Sequence, residues 1–354
     1  MARTRPAWPG LLLIHASPGE RRAALVRDGV LMELALERPG ATDGVGDVHA
    51  GRVTALVPAM AGAFVALQDA EAFLPDTDGA AGLTEGGVLA VRVTRAAQGG
   101  KGPRVAACHG EDLAGSAQLR LLRRGPSAVD DLLAAYTAEP IVSGAFDDAL
   151  EGEIETLGGP VAELAGGMRA RFAATPAFTA IDLDSGAATA ARAPKATAQM
   201  AANLAVLPGL VRQIVLRNFS GAILIDFAGI PSRKRRALAP ALESALQADP
   251  LRPRLAGFSN LGFAEISRPR KRPPLHEILN TPLGIGLAAL RRAETEVRAA
   301  PSRRLALRAA PAVINALQAD RPALAALAQA STYPLVLRGD PALTRDWFIE
   351  DDAP

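Results

Sequence analysis

Two short apolar runs, 178–184 (FTAIDLD) and 222–227 (AILIDF), carry acids at or near their carboxyl ends, and a stretch rich in helix formers at 197–217 lies between them. Strand, helix and strand within about 50 residues define a βαβ unit with a parallel strand pair and a right-handed crossover. Such sheets place their active groups at the carboxyl ends of the strands, and here both ends carry Asp. Asp182 and Asp184 lie two residues apart, so their side chains leave one face of the strand, and Asp226 is expected beside Asp182 on the neighbouring strand. Like charges held that close repel unless a cation sits among them. A hard oxygen cluster with no His or Cys nearby suits Mg²⁺ or Mn²⁺ better than zinc, and such an ion would polarise a phosphodiester and activate water for in-line attack. The competing reading is that acids ending buried strands cap the turn that follows.

The rest of the chain limits the setting. Its 354 residues correspond to two or three domains, and 39 basic against 37 acidic side chains leave a net charge of +2. The whole-molecule field therefore gives no reason to expect a polyanionic partner, and any nucleic-acid binding must be local. Cys108 is the single cysteine, which excludes an intrachain disulfide framework and a Cys-based zinc knuckle within one chain. No apolar run approaches the ~18 residues of a membrane span. The start, 1–9, carries charge without an apolar segment after it and reads as a frayed arm, which places the protein in the cytoplasm.

Residues 11–38 read as a hairpin with turns at Ser17-Pro18-Gly19 and Asp28-Gly29, the latter a strong hairpin signal between apolar runs. Short β-like runs follow (GRVTALV, GAFVAL, EAFLP, VLAVRVTRA), separated by Gly and Asp in the pattern of a small all-β barrel. From 119 to 170 short helices and strands mix. After the βαβ unit come a basic run at 233–236, an amphipathic helix through Ala248, a strand GFAEIS and a Pro-rich extended linker at 268–274. A tail at 283–350 has two or three Ala/Leu/Arg helices and a short strand, YPLVL.

IDLDSG (181–186), Asn203-Leu204, Arg212-Gln213 with Leu216-Arg217-Asn218, Gly221 with ILIDF (223–227) and LGFAEISRPRKRPPL (261–275) resemble the catalytic core of the ribonuclease E/G family. Upstream, 45–75 and GGKGPR (99–104) resemble the S1 domain embedded in the same family. The resemblance implies an α+β and α/β multidomain fold. It has an RNase H-like subdomain (11–39 with 113–160), an inserted S1, OB-type barrel (40–112), a DNase I-like catalytic subdomain (161–278) and a small C-terminal α+β domain (283–350). It further implies an endoribonuclease that cuts single-stranded RNA with Mg²⁺, Mn²⁺ being the alternative. Asp182 and Asp226 correspond to the acids that hold the metal, and Asp184 stands where the family has an Asn that orients water or an acid. Phe64 and Phe73 correspond to base-stacking positions, Lys101 to an RNA contact, and Arg104 belongs to the same basic surface. Exposed aromatics and cations are what an oligonucleotide-binding barrel uses; without the resemblance, each Phe reads as barrel core and Lys101 as a solvated turn charge.

The sequence also departs from the family pattern. The zinc-link cysteines are absent, with LHEILNTPLGIG (275–286) in their place; His276 alone makes no zinc site, so neither zinc nor a zinc-linked tetramer is expected, while a homodimer remains compatible. The segment that senses a 5′-monophosphate is missing between 112 and 119, so cleavage is expected not to depend on the 5′ end. Arg123 and Arg124 read as phosphate contacts or as a solvated pair. His49-Ala50 replaces a usual Tyr-Lys, and Pro208 is expected to kink or restart the long helix. Asp184 adds a third negative charge to the acids. The alternatives are an RNA-binding protein of the same family whose catalytic centre has decayed, and a different metal phosphodiesterase on a related fold.

Overall fold

A computed structural model of the chain describes residues 10–108, 110, 118–137, 139–184 and 195–352. The N-terminal arm (1–9) and Ser185-Gly186 of the IDLDSG motif lie outside the described residues. The structure is mixed α and β and divides into two compact units, one of residues 1–42, 127–152 and 276–354, the other of residues 43–126 and 153–275.

In the first unit the opening apolar runs form three antiparallel strands, Leu11–Ser17, Glu20–Arg27 and Val30–Glu37, and Ile141–Ser143 adds in parallel to the first. Asp28 and Gly29 both take positive φ, as the tight two-residue turn between twisted strands requires. The helix Ala128–Ala135 is started by a capping box of Ser127 and Asp130, and it buries Val129 and Leu132 against Leu12, Ala23 and Leu25. The tail is richer in strands than its composition suggests. Leu305–Ala309 is the centre of a three-stranded sheet, flanked by Val336–Gly339 in parallel and Trp347–Asp351 antiparallel, and the helices Pro282–Ala299, Pro311–Ala319 and Arg321–Ala330 pack on it.

The second unit holds a barrel and a sheet. The strands Val48–Val57, Gly62–Ala66, Glu71–Pro75, Val88–Arg95 and Arg104–Ala107 close a five-stranded barrel, because Val48–Val57 pairs with two neighbours and Arg104–Ala107 bridges the remaining gap. Val53, Val65, Leu74, Val91, Val93 and Val105 fill it. The strand Arg120–Arg123 joins the outside of this barrel along Val48–Ala50.

The sheet has six strands in the order Val161–Glu163, Arg169–Ala174, Phe178–Asp184, Gly221–Asp226, Ala264–Arg268, Arg254–Phe258. Its parallel pair is the one expected, Phe178–Asp184 with Gly221–Asp226, joined through the helix Lys195–Leu216. Alternation puts Phe172, Ile181, Leu183, Ile223 and Ile225 on one face, under Val206, Leu207, Leu210, Val211 and Ile214 of the helix. The helix runs unbroken through Pro208, so the expected restart does not occur there. Buried Val206 and Leu207 on one side of the proline and Leu210 and Val211 on the other hold it to the sheet, and this packing outweighs the local penalty. Its Thr197–Leu216 stretch is long and apolar enough by length and composition to cross a membrane, contrary to the sequence expectation, yet this is the helix whose apolar side packs on the sheet.

Candidate functional site

The ladder fixes the two principal acids. Asp182 and Asp226 are register partners on the parallel pair, so strand spacing sets their separation at about 4.8 Å between backbones. Both belong to the face of the sheet that the helix does not cover, where Asp182 and Asp184 are exposed and their antiparallel neighbours are Arg171 and Arg169. The Asp182 side chain makes no ion pair or hydrogen bond among the described residues. Asp226 is engaged: its Oδ1 accepts a hydrogen bond from Arg235 Nη1, and its Oδ2 has no hydrogen-bond partner among the described residues. Arg169 pairs with Glu163 at 2.8 Å.

The expected three-carboxylate cluster is thereby altered. Among the described residues no group of three or more His, Cys, Asp or Glu side chains forms a metal-holding cluster. The donor set that remains is two carboxylates on adjacent strand ends, all oxygen and open to solvent. That fits a hard cation of the Mg²⁺ kind, which is commonly held by one or two carboxylates and completes its shell with water and substrate phosphate.

Much of the motif that frames these acids is scaffold. Asn203, buried in the helix, donates from Nδ2 to the carbonyl of Ala228 at 3.0 Å, which ties the crossover helix to the loop directly after Asp226. Arg217 follows the last helical turn and donates to the carbonyls of Thr156, Leu157, Gly159 and Val161 and to Gln213 Oε1, with its guanidinium 4.6 Å from the Phe172 ring centroid. Burial lowers its pKa to about 10, so it remains charged at neutral pH. Asn218 takes the left-handed conformation that ends the helix, and its Nδ2 donates to the carbonyls of Arg272 and Pro273. Arg268 is spent on Asp249, at 2.6 Å, and Arg272 on Asp43. These pairings make two arginines of the 268–274 stretch internal glue.

The barrel residues resolve in favour of the outer surface. Phe64 and Phe73 are register partners on adjacent strands, half-buried and outside the barrel core, with ring centroids 5.7 Å apart in an edge-on arrangement. Gly62 makes room for them: a Cβ there would lie 2.6 Å from the Phe73 ring. Arg104 is the register partner of Phe73 on the next strand and pairs with Asp78 at 3.0 Å, while Lys101 is exposed at a two-residue turn closed by Gln98. The row Phe64, Phe73, Arg104 therefore sets two ring surfaces beside a cation, an arrangement suited to stacked bases and a phosphate backbone. Phe64→Ala or Phe73→Ala is expected to weaken binding of a single-stranded oligonucleotide by about 1–3 kcal/mol with the melting temperature nearly unchanged; unfolding in place of weaker binding would return the rings to the core. His49 is half-buried, and burial lowers its pKa, so it adds no charge to this surface at neutral pH.

A mixed sheet with register-paired acids on one face thus shares a unit with a closed five-stranded barrel that is compatible with an OB or S1 domain. Residues 122–271 match the model of the Ribonuclease E/G family. It is similar to Ribonuclease G of Escherichia coli (strain K12), 32% identical over 145 residues, which is 41% of this chain and 29% of the relative. Ribonuclease E of Escherichia coli (strain K12) is 38% identical over 104 residues (29% of this chain, 10% of the relative), and Ribonuclease E of Synechocystis sp. (strain ATCC 27184 / PCC 6803 / Kazusa) is 33% identical over 109 (30% and 16%). The chain thus spans under a third of the length of the curated relatives it matches, and the matched family segment contains both acids but not the closed barrel.

The contact that sequence reasoning missed is Arg235. A basic run at 233–236 was visible, but which of its members reaches Asp226 depends on how the chain turns after the strand.

Proposed function

We propose that the chain is an endoribonuclease that hydrolyses phosphodiester bonds in single-stranded RNA with Mg²⁺ or Mn²⁺, in RNA processing or decay. The observation that carries this reading is the register pairing of Asp182 with Asp226 on the open face of the family segment. Asp182 and Asp226 would hold the metal. The chemistry a divalent cation supplies at such a pair is polarisation of the phosphodiester and activation of water for in-line displacement. Asp184, on the same face two residues beyond Asp182, would orient water or an acid. Phe64 and Phe73 stack bases, and Lys101 and Arg104 contact the backbone, which fixes the strand without reading its sequence. The six-stranded sheet is the DNase I-like subdomain of this reading (161–278), the barrel the S1 domain (40–112), the four-stranded sheet the RNase H-like subdomain (11–39 with 113–160), and 283–350 the small C-terminal domain. Zinc plays no part, a homodimer is compatible, and the proposed setting is the cytoplasm.

A second reading is an RNA-binding protein of the same family with a weakened centre. It draws on the Arg235 ion pair with Asp226 and on Asp184 in place of the family Asn. A magnesium titration of cleavage separates the two, using a single-stranded fluorogenic RNA with either a 5′-monophosphate or a 5′-hydroxyl. The endonuclease reading expects saturable, Mg²⁺-dependent cleavage of both substrates at similar rates, and Asp184→Asn run alongside measures what the extra charge does. No cleavage at any magnesium concentration, with RNA still bound, favours the second reading; a roughly tenfold preference for the monophosphate (about 1.4 kcal/mol) would show a 5′-end sensor.

A further inference from the structure

Arg235 is held by more than the carboxylate it pairs with. Its Nε donates to the carbonyl of Ile230 at 2.7 Å, and its Nη1 donates both to Asp226 Oδ1 and, at 3.3 Å, to the carbonyl of Gly262. The Arg235 side chain is 14% exposed and that of Asp226 42%. The turn that brings Gly262 into reach leaves no space for a side chain: Gly262 has φ +94, and a Cβ there would lie 2.7 Å from Ser232 Cβ and 3.2 Å from Arg235 Cδ. The end of the Gly221–Asp226 strand, the short helix Ser232–Arg235 and the turn at 259–262 thus converge on one cation. An ordinary surface ion pair joins two flexible side chains and contributes little. Here two backbone carbonyls fix the cation, so its position beside Asp226 is built into the fold and does not depend on the pair alone.

We propose that Arg235 is a positioning residue acting as an internal counter-cation to Asp226. It orients the carboxylate, takes up Oδ1 and competes with the divalent cation for this acid, thereby setting the metal concentration at which the site loads. This rests on the reading of Asp182 and Asp226 as the metal-holding pair. Without a metal, the guanidinium offsets the repulsion between two carboxylates on adjacent strand ends. A metal that enters meets one free oxygen of Asp226 and a neighbouring positive charge, both of which lower its affinity.

Binding of Mn²⁺ to the full chain in the absence of RNA tests this, read from the electron paramagnetic resonance signal of free Mn²⁺. The proteins compared are wild type, Arg235→Gln, Arg235→Lys and Asp182→Asn. Arg235→Gln is expected to bind Mn²⁺ roughly tenfold more tightly (about 1.4 kcal/mol), with the half-activating Mg²⁺ concentration for cleavage falling in parallel. Arg235→Lys should fall between, because a point charge cannot satisfy Ile230, Gly262 and Asp226 together. Equal or weaker Mn²⁺ binding by a folded Arg235→Gln overturns the inference. Should Arg235→Gln fail to fold, Arg235→Lys decides in the same way, tighter binding supporting the inference and equal or weaker binding overturning it. If wild type binds Mn²⁺, Asp182→Asn abolishes that binding and neither Arg235 variant alters it, the inference fails while the metal-pair reading stands. If no protein in the set binds Mn²⁺, both fail.

Discussion

Asp182→Asn and Asp226→Asn are each expected to lower the rate of cleavage of a single-stranded RNA in Mg²⁺ by about 10³-fold or more, equivalent to about 4 kcal/mol of transition-state stabilisation. RNA affinity should stay within a few-fold, because the rings and cations proposed to bind RNA belong to the barrel and the acids to the open face of the sheet. Either substitution keeps the shape and removes a charge, so a loss of rate with intact binding and an intact melting curve assigns the chemistry to the carboxylates. Full activity in both variants would remove the two-acid site and, with it, the proposed reaction. A fall in affinity matching the fall in rate would place the acids in RNA binding instead of bond cleavage.

The second large effect is on stability. Arg217→Met is expected to destabilise the chain by about 4 kcal/mol or more. Four carbonyls, those of Thr156, Leu157, Gly159 and Val161, lose their buried donor at once, and an unsatisfied buried acceptor costs about 1–3 kcal/mol. Met keeps an apolar body over Phe172, so packing is disturbed less than hydrogen bonding. Urea denaturation checks it: a midpoint unchanged from wild type would mean that water reaches those carbonyls and that Arg217 is dispensable to the fold. The same measurement separates scaffold from chemistry within the family-like motif, since Arg217 has no contact with either acid and should alter cleavage only through unfolding.

The parts of the site that could be read from the sequence were those governed by local periodicity. Period-2 alternation in FTAIDLD puts Asp182 and Asp184 on one face, and the parallel crossover brings Asp226 level with Asp182; neither step needs tertiary detail. The outward orientation of Phe64 and Phe73 was a matter of register that an apolar run leaves ambiguous, and the family resemblance had to supply it. Elements that depend on neighbours were lost. Arg254–Phe258 lacks β-branched residues and follows Pro253, and Leu305–Ala309 is built of helix formers, yet both are strands because a partner strand offers its hydrogen bonds. The restart expected at Pro208 does not occur for the same reason, since packing on the sheet decides the outcome. The pairing of Arg235 with Asp226 depends on two turns meeting and has no signature in the order of residues.

The register that pairs Asp182 with Asp226 has a consequence for how this chain could change over time. Like charges about 4 Å apart repel by roughly 1–4 kcal/mol at effective dielectrics of 80 to 20, and the register keeps the Asp182 and Asp226 backbones at ladder spacing however their side chains turn. Replacing either acid with a neutral residue would relieve that repulsion, so at this one rung the folded state and the proposed reaction make opposite demands. In its proposed role, the arginine paired with Asp226 would let the chain tolerate that conflict between the moment it folds and the moment it meets a cation.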